Sequence, residues 1–218
     1  MPSDSTTPRT RAPRRDAAEN REAILLAAAS ILNSDPTASL EAIAVEAGLS
    51  RRAFYGHFAT RDDLLRELAL HGAARINATL DGHESDDDEG SGDPGSELAL
   101  LGARLWDEVD HVRVMALLTL RGPQSTLLGD ALAPLRHRVR RLVQRGVDAG
   151  AFRDDVPVAR LSRLIESAAI SVLDEGTRHG LSSAEGRRLV VLSVLGIAGF
   201  GHREAHDILT RTLTKAAR

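Results

Sequence analysis

Residues 48–58 read GLSRRAFYGHF. Three of the chain's six aromatic residues, Phe54, Tyr55 and Phe58, fall within these eleven positions. Arg51 and Arg52 stand beside them, and no acid occurs between Glu46 and Asp62. A serine before a helix is a preferred N-cap, because its oxygen accepts from an orphan N–H of the first turn. Glycine permits the positive φ that a tight turn after a helix demands. The stretch therefore predicts a turn at Gly48-Leu49-Ser50 and a short helix capped by Ser50. Leu49 plugs the angle between that helix and the one before it. Wound at about 100° per residue, Phe54 and Phe58 share one face. That face must be core, since so short a helix does not hold itself in water. The opposite face carries Arg52, Ala53 and Gly56, with Tyr55 and His57 on either side.

Two helices joined by such a turn make a helix-turn-helix, the second being the reading helix. Its small residues would let the backbone lie deep in a major groove. Arg52 is the long donor on that surface, and arginine forked onto guanine O6 and N7 discriminates bases by ~1–3 kcal/mol. Tyr55 and His57 are expected to meet phosphates, contacts that position a protein without reading sequence. Arg51 lies by angle nearer the core side, with a swing to a base or phosphate open to it. Arg61 begins the next helix and is expected to neutralise a phosphate.

The flanking sequence supplies the other parts of a small helical domain. Ile24, Ala27, Ala28, Ile31 and Leu32 recur at helical spacing. Asn33-Ser34-Asp35-Pro36 ends that helix. Ser39 is placed to cap the next, with Leu40, Ile43, Ala44 and Ala47 as its buried stripe. Thr60 is placed to cap a fourth helix, whose Asp62 and Asp63 suit the positive end of the helix dipole. Leu64, Leu65, Leu68, Gly72 and Ile76 form its inner face. Residues 1–16, rich in Pro, Thr, Ser and Arg, are expected to be a disordered basic arm, either a plain tail or one that touches DNA. Residues 81–95, DGHESDDDEGSGDPG, are expected to be an acidic flexible loop. The expected organisation is thus an arm over 1–16, a helix-turn-helix domain over 17–80, the loop, and a second helical domain over 96–218.

Beyond residue 95 the pattern is helical, with candidate helices over 96–109, 111–121, 125–149, 157–179, 183–200 and 202–216. Pro134 should kink a helix or start a new one. No β-alternation appears, so the fold class is all-α. Helix 157–179 places Leu161, Leu164, Ile165, Ala168 and Val172 on one stripe. The run LVVLSVLGIAGF is apolar on every side, so every side of it needs cover. A second subunit supplies that cover in one reading, and the interior of a monomer in the other. In the first reading Val191, Leu195, Gly196 and Gly199 join the stripe of helix 157–179 at a dimer interface.

Composition narrows the functional classes. The net charge is −3, yet charge is segregated, and phosphates respond to a local face. Cysteine is absent, which excludes disulfides, thiol chemistry and cysteine-based zinc sites. No run of 18 apolar residues and no signal peptide is evident, so a cytoplasmic protein is expected. No nucleotide-binding or nucleophile-elbow motif is present, and neither an enzyme nor a cofactor is expected. His202 and His206 share a helix face beside Glu204, but no third ligand is evident and no metal is expected. A helical-bundle enzyme and an interaction protein without DNA binding remain the competing readings.

Residues 21–65, carrying REAILLAAASIL and SLEAIAVEAGLSRRAFYGHFATRDDLL, resemble the DNA-binding domain of the tetracycline-repressor (TetR) family. The resemblance implies that Ser50, Arg51, Arg52 and Ala53 begin the recognition helix, and that Tyr55, His57 and Arg61 occupy phosphate-contacting positions. Ala53 lacks the hydroxyl the family often has there, and Gly56 replaces a larger residue. GVDAGAFRDDVP is similar to the family's entry into its dimer-forming helices. The resemblance also implies a pocket within 96–149 for a small molecule that lowers DNA affinity. Trp106, His111 and Met115 are its candidate lining. The expected protein is a homodimeric repressor, released from a palindromic operator by an effector.

Overall fold

A computed structural model describes residues 12–81 and 92–216. Every regular element among the described residues is a helix. In order these are α1 (Ala12–Ser34), α2 (Leu40–Glu46), α3 (Arg51–Tyr55), α4 (Arg61–Asp81) and α5 (Pro94–Val109). A 3-10 turn (Asp110–Val112) leads into α6 (Arg113–Arg121) and α7 (Ser125–Ala131). The chain ends in α8 (Ala133–Asp148), α9 (Val158–His179), α10 (Ser183–Ala198) and α11 (His202–Ala216). The helices divide into two compact units, with the division inside α4 between Leu68 and Ala69. The expected domain boundary lay at the end of that helix.

Most of the expected arm, residues 1–11, lies outside the described residues, as do residues 82–91 of the expected loop. Residues 12–16 are helical: α1 begins at Ala12, about three turns before the apolar period that starts at Ile24. α4 runs on to Asp81 and α5 starts at Pro94, which shortens the loop at both ends. Proline is tolerated there because a first-turn N–H has no partner to lose.

The N-terminal unit closes around rings and aliphatics from all four of its helices. Ile24, Leu32, Ile43, Phe54, Phe58 and Leu64 are all but inaccessible to solvent. The helix ends follow local chemistry. Ser39 Oγ accepts from Ala42 N at 3.2 Å, and Thr60 Oγ1 accepts from Asp63 N at 3.1 Å while the Asp63 carboxylate accepts from Thr60 N. Such reciprocal caps satisfy donors that the helix itself cannot.

In the C-terminal unit α5 packs on α8, α10 and α11, and α9 packs on α6, α8 and α10. Pro134 starts a helix: the expected 125–149 segment is two helices, α7 and α8, parted at Leu132. A capping box of Ser182 and Glu185 opens α10. The core includes Leu98, Trp106, Val143, Leu161, Val191 and Leu195. Trp106 lies so close to α10 that a Cβ on Gly186 would stand 1.8 Å from its Cζ2, so only glycine fits there.

This packing corrects part of the expected dimer interface. Leu161, Ile165, Val172, Val191 and Leu195 are buried in the chain's own core and offer nothing to a second copy. The run LVVLSVLGIAGF is therefore covered largely from within. Gly199 also has another reason to be glycine: it ends α10 at φ +112°, with the Arg153 backbone close by. What remains outward on α9 and α10 is a different set. Leu164 is 44% exposed, Ile170 39% and Leu189 37%, and Gly196 is exposed beside the half-buried Leu192.

Candidate nucleic-acid interface and ligand cavity

The helix-turn-helix forms at the predicted place. Gly48 takes φ +68°, and the N–H of Leu49 returns to Ala44 O at 3.0 Å, which closes α2 and redirects the chain. Ser50 is extended (φ −65°, ψ 150°), and its hydroxyl accepts from Ala53 N at 3.2 Å. α3 is a single turn and a half, held from below by Phe54 and Phe58, whose ring centroids are 6.2 Å apart. Arg21 of α1 stacks its guanidinium 4.7 Å from the Phe58 centroid and pairs with Glu67 at 3.0 Å. A cation over a ring and a carboxylate beside it fix the anchor from a third helix.

The outward residues are less uniform than their spacing suggests. Arg52 is exposed and makes no ion pair among the described residues. Gly56 is exposed and right-handed (φ −69°), so its backbone does not require glycine. Ala53 and His57 are half-buried. Arg51 is not on the core side: its side chain is 73% exposed, because the first residue of a one-turn helix has no turn before it to lie against.

Arg51 and Tyr55 share a partner that the sequence did not reveal. Glu41 of α2 receives the Arg51 guanidinium at 3.0 Å and the Tyr55 hydroxyl at 3.1 Å, and Arg51 lies 5.5 Å from the Tyr55 ring centroid. The backbone N–H of Glu41, then the Tyr55 hydroxyl and Arg51, hold its carboxyl below the usual range. A carboxylate thus occupies the side chains expected to meet phosphate.

Arg61 also has partners that the sequence did not reveal. Its Nη1 donates to Ala38 O and its Nη2 to Pro36 O, both at 2.5 Å. The guanidinium staples the α1–α2 turn, which Asp35 also organises by accepting from Thr37 N and Oγ1. Loop carbonyls that point at a helix start compete for the charge expected to meet phosphate.

In the C-terminal unit a cavity of about 170 Å³ opens between α5, α8, α9 and α10. Its wall is mostly aliphatic and includes Trp106. His111 and Met115 do not line it. His111 is exposed on the 3-10 turn, and Met115 is buried in α6 away from the void. The polar members that sequence reasoning missed are Arg136 of α8 and Glu166 of α9, with Nε and Oε2 3.5 Å apart. Burial pushes the Glu166 carboxyl up, against Arg136, Arg140 and Arg163. The indole N–H of Trp106 is buried with no hydrogen-bond partner. No helix among the described residues is long and apolar enough to cross a membrane.

Residues 24–68 match the family model described as bacterial regulatory proteins, tetR family. The TetR-like regulator LfrR of Mycobacterium smegmatis, solved with proflavine, is 22% identical with a TM-score of 0.64, over 82% of this chain and 96% of that one. FadR of Bacillus subtilis, solved with stearoyl-CoA, is 15% identical with a TM-score of 0.65, over 79% and 97%. AmtR of Mycobacterium smegmatis is 20% identical with a TM-score of 0.62, over 98% of both chains. At such identities the likeness is one of fold. The comparison with curated proteins finds no match. The match over 24–68 is centred on the capped turn and short helix described above, and it is to the N-terminal domain of the tetR family of bacterial regulatory proteins.

Proposed function

We propose that the protein is a homodimeric repressor that binds a palindromic operator and leaves it when an effector fills the cavity of the C-terminal unit. The observation that carries this reading is α3: a Ser50-capped turn of helix, anchored by two buried rings, with Arg51 and Arg52 exposed at its start. Arg52 reads a base, while Tyr55 and His57 meet phosphates on the groove walls. Arg51 joins them once it leaves Glu41. One such helix reads few bases, so two copies reading two half-sites supply the specificity. The outward apolar residues Leu164, Ile170 and Leu189, with Ala168 and Gly196 between them, support pairing through α9 and α10. Effector release follows from population shift: a ligand that favours a weakly binding conformer drains the DNA-bound one. A near-complete switch needs an affinity gap of ~5.5 kcal/mol between the two conformers.

The test is selection from a pool of random duplexes at moderate salt, followed by titration of the selected site. The expected result is an inverted repeat. Arg52→Ala should relax preference at one base pair per half-site by ~1–3 kcal/mol, and Tyr55→Phe should weaken all duplexes alike. Recovery of no preferred duplex would refute the proposal.

A further inference from the structure

We infer, on the reading above that the C-terminal unit holds the effector site, that its ligand is a hydrophobic weak acid: a compact apolar body bearing one carboxylate, which Arg136 receives in place of Glu166.

The apolar part follows from the walls. Leu98, Leu101, Leu135, Val139, Leu173 and Val194 surround the void from four helices. Its size, about 170 Å³, sets the scale. A dry void of about 150 Å³ accepts benzene, so this one admits a single ring or a short chain. The acidic part follows from what the polar wall atoms lack. The Arg136–Glu166 separation of 3.5 Å is longer than a charge-assisted hydrogen bond of about 2.7–2.9 Å. One further Arg136 nitrogen, Nη1, donates to Gly129 O at 2.8 Å. A guanidinium offers five donors, so capacity remains. Trp106 also lines the void, and its indole N–H is buried without a partner. The charges of Arg140 and Arg163 also act on Glu166, although neither residue lines the void. The unmet capacity is donor capacity, and the charge balance at this end is positive. A carboxylate supplies acceptors and negative charge together. An amine would compete with Arg136 for Glu166. A hydrocarbon would leave the Arg136 capacity unmet.

The experiment uses the full chain and a matched series: phenylacetate, 2-phenylethanol and 2-phenylethylamine. Binding is followed by calorimetry and by the fluorescence of Trp106, the single tryptophan of the chain. Phenylacetate should bind at least about tenfold tighter than the alcohol, and the amine weakest, since a charge-assisted bidentate contact is available to the acid alone. Arg136→Gln should remove the preference for the acid, Arg136→Lys should keep part of it, and Glu166→Gln should strengthen it. Equal or tighter binding of the alcohol or amine overturns the inference. So does binding of none of the three, or a loss in Arg136→Gln that is the same for all three. DNA binding without ligand is measured in parallel. A chain that selects a duplex yet shows no acid preference refutes this inference and leaves the regulator standing. Acid binding through Arg136 in a chain that selects no duplex does the reverse.

Discussion

The two units use their aromatic residues in opposite ways. In the N-terminal unit Phe54 and Phe58 fill the space beneath α3, and Arg21 caps the ring of Phe58. In the C-terminal unit Trp106 is as thoroughly buried, yet it borders a void and keeps an unpartnered N–H. A reading surface needs one conformation, because its side chains must match base edges to a fraction of an ångström. An effector site needs empty volume and unmet hydrogen-bond capacity, both of which cost stability until a ligand arrives. The difference teaches where rigidity is required and where it is relinquished.

The sharpest way to break the comparison is to empty the first unit. Phe54→Ala removes the ring on which α3 rests. It should cost about 3–5 kcal/mol and abolish DNA selection. Urea unfolding followed by amide exchange over residues 24–68 measures it. A variant that stayed folded there would show that α3 does not depend on its anchor.

Next in size is Arg61→Ala. Two hydrogen bonds from a charged group to the Pro36 and Ala38 carbonyls should contribute about 1.5–3 kcal/mol. The midpoint should therefore fall, while the salt slope of DNA binding stays as it was. A slope smaller by about one would return Arg61 to the phosphate-contacting set.

Gly186→Ala tests the second unit from the side of overpacking. Its methyl would overlap Trp106, which must move, at a cost of about 1–3 kcal/mol. Trp106 fluorescence should shift and the cavity should change, while amide exchange over residues 24–68 does not. An unaltered emission spectrum would mean that the indole is held less firmly than its contacts imply.

These sites also mark what could be read from the chain alone. Ser39, Ser50 and Thr60 as caps and Gly48 as the turn are decided by neighbours a few residues away, so they were legible, whereas Pro134 was legible only as a kink or a helix start. So was the burial of Phe54 and Phe58, since only one face of so short a helix can anchor it. The faces of LVVLSVLGIAGF were not legible, because a run apolar on every side carries no phase. Which side α5 and α9 cover depends on residues far away along the chain. The contacts of Arg61 were not legible for a related reason. Its partners lie 23 and 25 residues earlier, and they are backbone carbonyls, which have no signature in sequence. The cavity had no local signature either: Arg136 and Glu166 are ordinary surface-type residues until α8 and α9 bring them together.

The smallest expected effect lies at Glu41, and it refines the contrast, because here the rigid unit too keeps capacity in reserve. Glu41 holds Arg51 and Tyr55 while DNA is absent. A phosphate that takes over these donors must displace it, so Glu41 opposes every duplex by the same amount. Glu41→Gln keeps the shape and a weaker acceptor but removes the charge. All duplexes, selected and random alike, should then bind tighter by roughly two- to fivefold, the scale of an exposed ion pair. The ratio between selected and random sites should not move, since Arg52, the proposed base reader, is not held by Glu41. The effect should shrink as salt is raised, because exposed charges are screened. Parallel titrations of both duplexes at two salt concentrations decide it. A gain confined to the selected site would assign base reading to Arg51, and weaker binding to both would make Glu41 a brace that α3 needs when bound.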